Sequence, residues 1–176
     1  MLSQIYTCGL TGIEGFMVCA ETYISSGMPA FDIVGLPDAA VKEAKERAKA
    51  AIKNSGFRMP AKKIVMNLAP ANRRKEGSGY DLPIAVSVLD ATEQIKITDK
   101  DKTIFIGELS LDGSVNRVTG VLPIVLTAYN NGFKKAFVPK ENANEAAAVD
   151  GMEIYPINSI KELAEHFNTD KKIHPY

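Results

Sequence analysis

The sequence predicts one α+β domain, a mixed sheet with flanking helices. Three observations lead there. β-forming runs come first and are punctuated by glycine, helical and extended patterns alternate after residue 38, and no segment repeats or falls to low complexity. With 176 residues and 45% hydrophobic content, the chain has enough apolar material for one core.

Ser3 to Thr7 and Phe16 to Ile24 are rich in β-formers and separated by Gly9, Gly12 and Gly15, the pattern of a hairpin with a turn-rich connection. Phe31 to Gly35 reads as a third short strand, and Leu36-Pro37-Asp38 as the turn into a helix. In that helix Val41, Ala44, Ala48, Ala51 and Ile52 recur at steps of three and four, and their small size implies close packing on a sheet. Asp38 is the expected N-cap and Gly56 the residue past the end. Glu43 and Arg47, one turn apart, are expected on a solvated face.

The strand Ile64 to Leu68 feeds the stretch around which the chain is organised, Lys75-Glu76-Gly77-Ser78-Gly79-Tyr80-Asp81-Leu82-Pro83, which opens an apolar helix from Pro83 to Ala91. Gly77 and Gly79 permit dihedrals that let such a turn present main-chain amides or a side chain to a ligand. Asp81 is expected as the N-cap, with Pro83 in the first turn, where its missing N–H costs nothing. Ile104 to Leu109 reads as a strand, Leu111-Asp112-Gly113-Ser114 as a hairpin turn, and Val115 to Val118 as its return arm. A helix from Val121 to Tyr129, a strand from Lys135 to Pro139, a short helix from Ala143 to Val149 and a strand from Ile154 to Ile157 follow. Ser159 and Glu162 form a capping box that opens a last helix to Phe167. The domain is therefore expected over residues 1–167, with the polar residues 168–176 as a linker.

Lysines plus arginines number 21 and aspartates plus glutamates 21, so no global field draws the chain to nucleic acid. Two cysteines without metal-type spacing, no signal-peptide pattern and no membrane-length apolar run point to a cytoplasmic protein with no membrane partner. No Gly-x-x-x-x-Gly-Lys segment exists to cradle a triphosphate, and His166 and His174 lie far from either cysteine, so no metal site is expected. With no histidine near the loop, nucleophilic work is reduced to a serine–lysine pair. Arg58, Lys62, Lys63, Arg73, Arg74 and Lys75 flank one strand, and Arg117 lies beyond a hairpin. On a shared face they would contact DNA phosphates without regard to sequence; otherwise they are solvated loop charges.

Several stretches resemble a family. Leu68-Ala69-Pro70, the run Lys75 to Ala85, Gly107-Glu108-Leu109-Ser110-Leu111-Asp112-Gly113 and Val138-Pro139-Lys140-Glu141-Asn142 look like the N-terminal domain of ComM/YifB proteins, AAA+ ATPases related to the magnesium-chelatase ATPase subunit. Gly12-Ile13-Glu14-Gly15 and Phe31 to Asp38 extend the resemblance over nearly the whole chain. It implies the Lon-protease-domain fold, shared with the C-terminal domain of RadA and the second domain of a ribosomal small-subunit protein. Setting the Lon-type Lys-Asp-Gly-Pro-Ser-Ala-Gly on Lys75-Glu76-Gly77 brings the nucleophile to Gly79, and the general-base lysine falls at Leu122. Both groups are missing, so the resemblance implies a domain that is not a peptidase and has no catalytic residue or cofactor of its own. It further implies that ATP and magnesium belong to a P-loop module this chain lacks, that the whole protein forms a hexameric ring and remodels DNA during natural transformation, and that this domain contributes DNA contacts and ring assembly. A magnesium-chelatase role is not implied, because that kinship is expected in the missing module. A diverged peptidase using Ser78 and a protein-interaction module without DNA affinity remain as alternatives.

Overall fold

The computed structural model describes residues 1–176. Strands β1 (Leu2–Thr11) and β2 (Glu14–Ser25) form a long antiparallel hairpin, paired from Leu2 with Tyr23 to Thr11 with Glu14. The strands run through Gly9 and Gly15, where a turn-rich segment was expected. The reason lies elsewhere in the chain. The Tyr80 hydroxyl and the Phe16 ring occupy the space of a Cβ at Gly9, and Thr127 occupies it at Gly15, so these glycines admit neighbours to a continuous strand.

β3 (Ala30–Val34) runs parallel to β4 (Lys63–Ala69), which pairs antiparallel with β2. β5 (Thr103–Phe105), β8 (Lys135–Pro139) and β9 (Glu153–Ile157) complete a seven-stranded mixed sheet in the order β3-β4-β2-β1-β5-β8-β9. The strand expected from Ile104 to Leu109 is broken. The Ile106 amide still bonds the Phe137 carbonyl of β8 at 3.1 Å, but the Gly107 amide bonds the Gly79 carbonyl at 3.1 Å, and there the chain leaves the sheet. It then forms a separate ribbon of β6 (Glu108–Leu109) and β7 (Val115–Asn116).

Helices α1 (Ala39–Asn54), α2 (Asp81–Ala91) and α5 (Ile160–Asn168) share one core with one face of the sheet, and α3 (Val121–Asn130) and α4 (Ala143–Ala146) share a second core with the other. Every residue of α2 from Asp81 to Leu89 is buried, as expected for a helix apolar all round and set between the β1–β2 hairpin and α1. Helix α1, with Ala44, Ala48 and Ala51 buried, therefore packs more on α2 than on the sheet expected from the size of its alanines. Asp38 caps α1 by accepting from the Val41 amide at 2.8 Å, and Ser159 caps α5 by accepting from the Glu162 amide at 3.1 Å.

The polar tail after α5 is tied back to the domain. The Ile173 amide donates to His166 Nδ1 at 2.9 Å, and the Tyr176 amide donates to the Ile154 carbonyl at 2.8 Å. No helix is long and apolar enough to cross a membrane.

Candidate functional site

The connection from β4 to α2 is pinned at Lys75, and this corrects a residue expected to contact DNA. Lys75 is fully buried. Its amide bonds the Leu36 carbonyl at 3.0 Å, and its own carbonyl accepts from the Asp38 amide at 2.9 Å. Its ammonium donates to the Gly35 carbonyl at 2.7 Å and to the Pro70 carbonyl. Burial, and secondarily the charge of Arg73, lowers its pKa from the usual lysine range. An amine held this way clamps the loop to the β3–α1 turn and offers nothing to a phosphate.

The other basic residues fall into two groups. Arg58, Lys62 and Lys63 are exposed at the start of β4, where the Arg58 amide bonds Gln94 Oε1 at 2.8 Å. Arg73 and Arg74 follow its other end, roughly 20 Å away for seven residues rising about 3.3 Å each. Arg73 lies over the Phe16 ring at 4.0 Å, and exposed Arg74 pairs with Glu76 at 3.0 Å. Arg117, also exposed, belongs with this second group, because it lines a cleft with Glu76 and Gly12. The expected patch is thus split by the length of a strand.

That cleft, of about 570 Å³, is the site on which the loop opens. Four separate segments build it: Cys8 to Leu10 of β1 with Gly12, the loop from Glu76 to Tyr80, Ile106 with Glu108, and Arg117 to Thr119 with Ile124. Gly77 adopts φ 90°, a left-handed conformation that only glycine takes cheaply, whereas Gly79 has no such φ, so its lack of a side chain is not a backbone requirement. Ser78 Oγ donates to Glu108 Oε2. Tyr80 is buried, its hydroxyl has no hydrogen-bond partner, and burial drives its phenol pKa up. Burial likewise pushes the Cys8 thiol up to about 12, which leaves it an inert wall group.

Asp81, expected as an N-cap, has another task. It is the first residue of α2 and makes no cap bond. Its buried carboxylate accepts from Arg47 Nε at 2.7 Å, from Arg47 Nη2 at 3.0 Å and from the Leu109 amide at 3.0 Å. Burial raises the Asp81 pKa against the opposing pull of these donors, and the hydrogen bond to Asp81 raises that of Arg47. Arg47 also donates to the Ala40 carbonyl at 3.0 Å, so it joins α1 to α2 and the ribbon instead of sitting on the solvated face expected for it. The ion pair with Glu43 is long, at 3.5 Å.

Gly79 stands in the cleft wall. Leu122 stands in the first turn of α3, is 39% exposed, and is not among the wall residues; its amide bonds Glu145 Oε1 at 3.1 Å. No lysine lines the cleft. Its one cation is the Arg117 guanidinium, a hydrogen-bond donor with no acceptor atom. Glu76, Ser78, Glu108 and Arg117 carry the polar character of the site, the Tyr80 hydroxyl being buried, and sequence reasoning gave Glu108 and Tyr80 no role. Glu108 lies within a run already singled out, but its contact with Ser78 spans 30 residues and leaves no local pattern.

A family model described as "Subunit ChlI of Mg-chelatase" matches residues 20–142 of this chain, so kinship with that subunit reaches this domain itself and is not confined to a further module. The competence protein ComM of Haemophilus influenzae is 36% identical over 172 residues, which is 98% of this chain and 34% of that protein. The protein YifB of Escherichia coli is 41% identical over 150 residues, 85% of this chain and 29% of its own length. An archaeal Lon protease from Archaeoglobus fulgidus is 33% identical over 102 residues, 55% of this chain and 16% of that protein. The chain spans about a third of the length of the ComM and YifB relatives it matches. On this fold and this sequence likeness, the chain belongs to the family of the ChlI subunit of Mg-chelatase, as a ComM/YifB-like member with a Lon-protease-like domain.

Proposed function

We propose that this chain is the non-proteolytic N-terminal region of a ComM/YifB-type AAA+ protein, contributing DNA contacts and ring assembly to ATP-driven DNA remodelling in the cytoplasm. Branch migration during natural transformation is the process it would serve. ATP and magnesium would be handled by the further length the relatives carry, because no Gly-x-x-x-x-Gly-Lys segment is present here. Residues 168–176 would lead toward that module.

Support for the inert cleft comes from its wall. The one serine hydroxyl there is engaged by a carboxylate, and no amine stands beside it to take a proton. Support for DNA contact comes from three guanidiniums in a chain with no net charge: Arg117 in the cleft wall, Arg74 paired with the wall residue Glu76, and Arg73, which lies over the Phe16 ring and donates to Thr11. The exposed pair of Arg74 with Glu76 is worth little and exchanges readily for a phosphate. Lys75 is withdrawn from the contact set, and Arg58, Lys62 and Lys63 form a separate group.

Fluorescence anisotropy with a mixed-sequence duplex between about 50 and 200 mM salt tests the reading. Converting Arg73, Arg74 and Arg117 to Ala should weaken binding and flatten the slope of log K against log salt by about 0.9 per lost contact, so by about 2.7. Binding indifferent to salt, or lost through Arg58, Lys62 and Lys63 and not through this set, defeats it and favours an interaction module without DNA affinity.

A further inference from the structure

Helix α3 lies on the outside of the molecule and carries no charge. Its sequence, Val121-Leu122-Pro123-Ile124-Val125-Leu126-Thr127-Ala128-Tyr129-Asn130, holds no Asp, Glu, Lys or Arg. One side is buried through Val121, Ile124, Val125 and Ala128, as its place against the sheet requires. The other side is where a surface helix places its charges. Here Leu122, Leu126 and Tyr129, at steps of four and three, form a stripe whose members are 39%, 46% and 40% exposed. Large apolar side chains at helical spacing make a patch, unlike single ones scattered over a surface. α1 and α5 carry Lys and Glu on their outer sides, and α2 is buried almost throughout, so no other helix leaves such a stripe open.

The neighbouring chain indicates what covers it. α4 packs against α3, and its consecutive residues Asn144 and Glu145 make contacts in two directions. Glu145 accepts from the Leu122 amide at 3.1 Å, while Asn144 accepts from the Tyr176 hydroxyl at 3.4 Å. Just past α4, the Gly151 main chain lies so near the Tyr129 ring that a Cβ would meet it at 2.6 Å. Residues 168–176 thus run back from α5 to the side of the domain on which the stripe is open. The chain itself spans about a third of its ComM and YifB relatives.

We infer that the stripe is the docking face for the ATPase module that the proposed function places after residue 176, and in this it rests on that reading. A second copy of the chain is the competing occupant. Three half-exposed side chains are too few for a stable contact between free copies. A module tethered within reach of the face has an effective concentration of about millimolar, and for it a small apolar patch suffices.

The test is diazirine footprinting of the stripe in residues 1–176 alone and in the full-length protein. Labelling of Leu122, Leu126 and Tyr129 should fall about fivefold in the full-length protein, as for side chains placed in an interface core. Leu126→Glu puts a carboxylate into that contact and should raise tryptic cleavage at Lys171 and Lys172 about tenfold in the full-length protein. In residues 1–176 alone it should leave Tm and duplex affinity unchanged, and Leu126→Met should match wild type throughout. Equal labelling of the two proteins, or cleavage indifferent to Leu126→Glu, overturns the docking. So does concentration-dependent sedimentation of residues 1–176 that Leu126→Glu abolishes, which gives the face to a second copy. A full-length protein without ATP hydrolysis removes the proposed function and the docking with it, whereas ATP hydrolysis with an equally labelled stripe removes the docking alone.

Discussion

Replacing Lys75 by Met separates a structural lysine from a DNA-binding one. The substitution keeps the length of the side chain and deletes the ammonium, leaving the carbonyls of Gly35 and Pro70 without their donor. Each hydrogen bond from a charged donor is worth about 1.5–3 kcal/mol, and removing a desolvated ammonium returns part of that sum. The main-chain bonds of Lys75 to Leu36 and Asp38 survive. A net loss of about 2 kcal/mol follows, which for a chain of this size lowers Tm by about 4–8 °C. Differential scanning calorimetry reads the stability, and anisotropy with a duplex reads DNA affinity at a temperature where the variant is folded. A lower Tm with Kd within twofold of wild type is expected. An unchanged Tm together with a Kd loss like that of Arg74→Ala would refute it.

Asp81→Asn keeps the shape of the carboxylate and leaves the Arg47 guanidinium, whose side chain is 24% exposed, without its countercharge. Discounting the usual 3–5 kcal/mol for that exposure gives a loss of about 2–3 kcal/mol in urea unfolding, partly recovered when Arg47→Met is added; strictly additive losses would contradict the pairing. His166 packs against Phe137 and Tyr155, and its Nδ1 accepts from the Ile173 amide. Burial first, then Lys172 and Lys135, lowers its pKa from 6.5. With the folded value below the unfolded one, its stabilising effect is full above pH 6.5 and is lost as pH falls through the folded value, so the protection factor of the Ile173 amide, with the intrinsic pH dependence of exchange divided out, should fall on acidification and no longer depend on pH in His166→Ala. Gly9→Ala should cost several kcal/mol in the same urea assay, because the new methyl meets the Tyr80 hydroxyl and the Phe16 ring, and Tyr80→Phe should not rescue it fully.

Local patterns announced much of the fold. The strand Lys135–Pro139 lies where its β-formers set it, and α1 follows the spacing from Val41 to Ile52, closed by Asp38 and Ser55 before Gly56 at φ 88°. These features are decided by residues within a few positions of one another. Arg47, Lys75 and Asp81 misled for the opposite reason. Charge marks a residue as solvated until partners far along the chain bury it, and Arg47 finds Asp81 across 34 residues while Lys75 finds Gly35 across 40. Gly9 was read as a turn because nothing nearby shows that Tyr80 presses on it. The cleft was half visible. The Gly77-Ser78-Gly79 loop stood out, but its walls come from β1, from the break after Phe105 and from the approach to α3, and only tertiary structure joins them.

Exposure of the chain to a serine-reactive fluorophosphonate, followed by intact mass and peptide mapping, tests most directly whether the cleft has lost its cleavage chemistry. The expected result is an unmodified Ser78, held by Glu108, and an unfolded casein substrate left intact. Stoichiometric labelling at Ser78, with casein cleavage that disappears in Ser78→Ala, would contradict it.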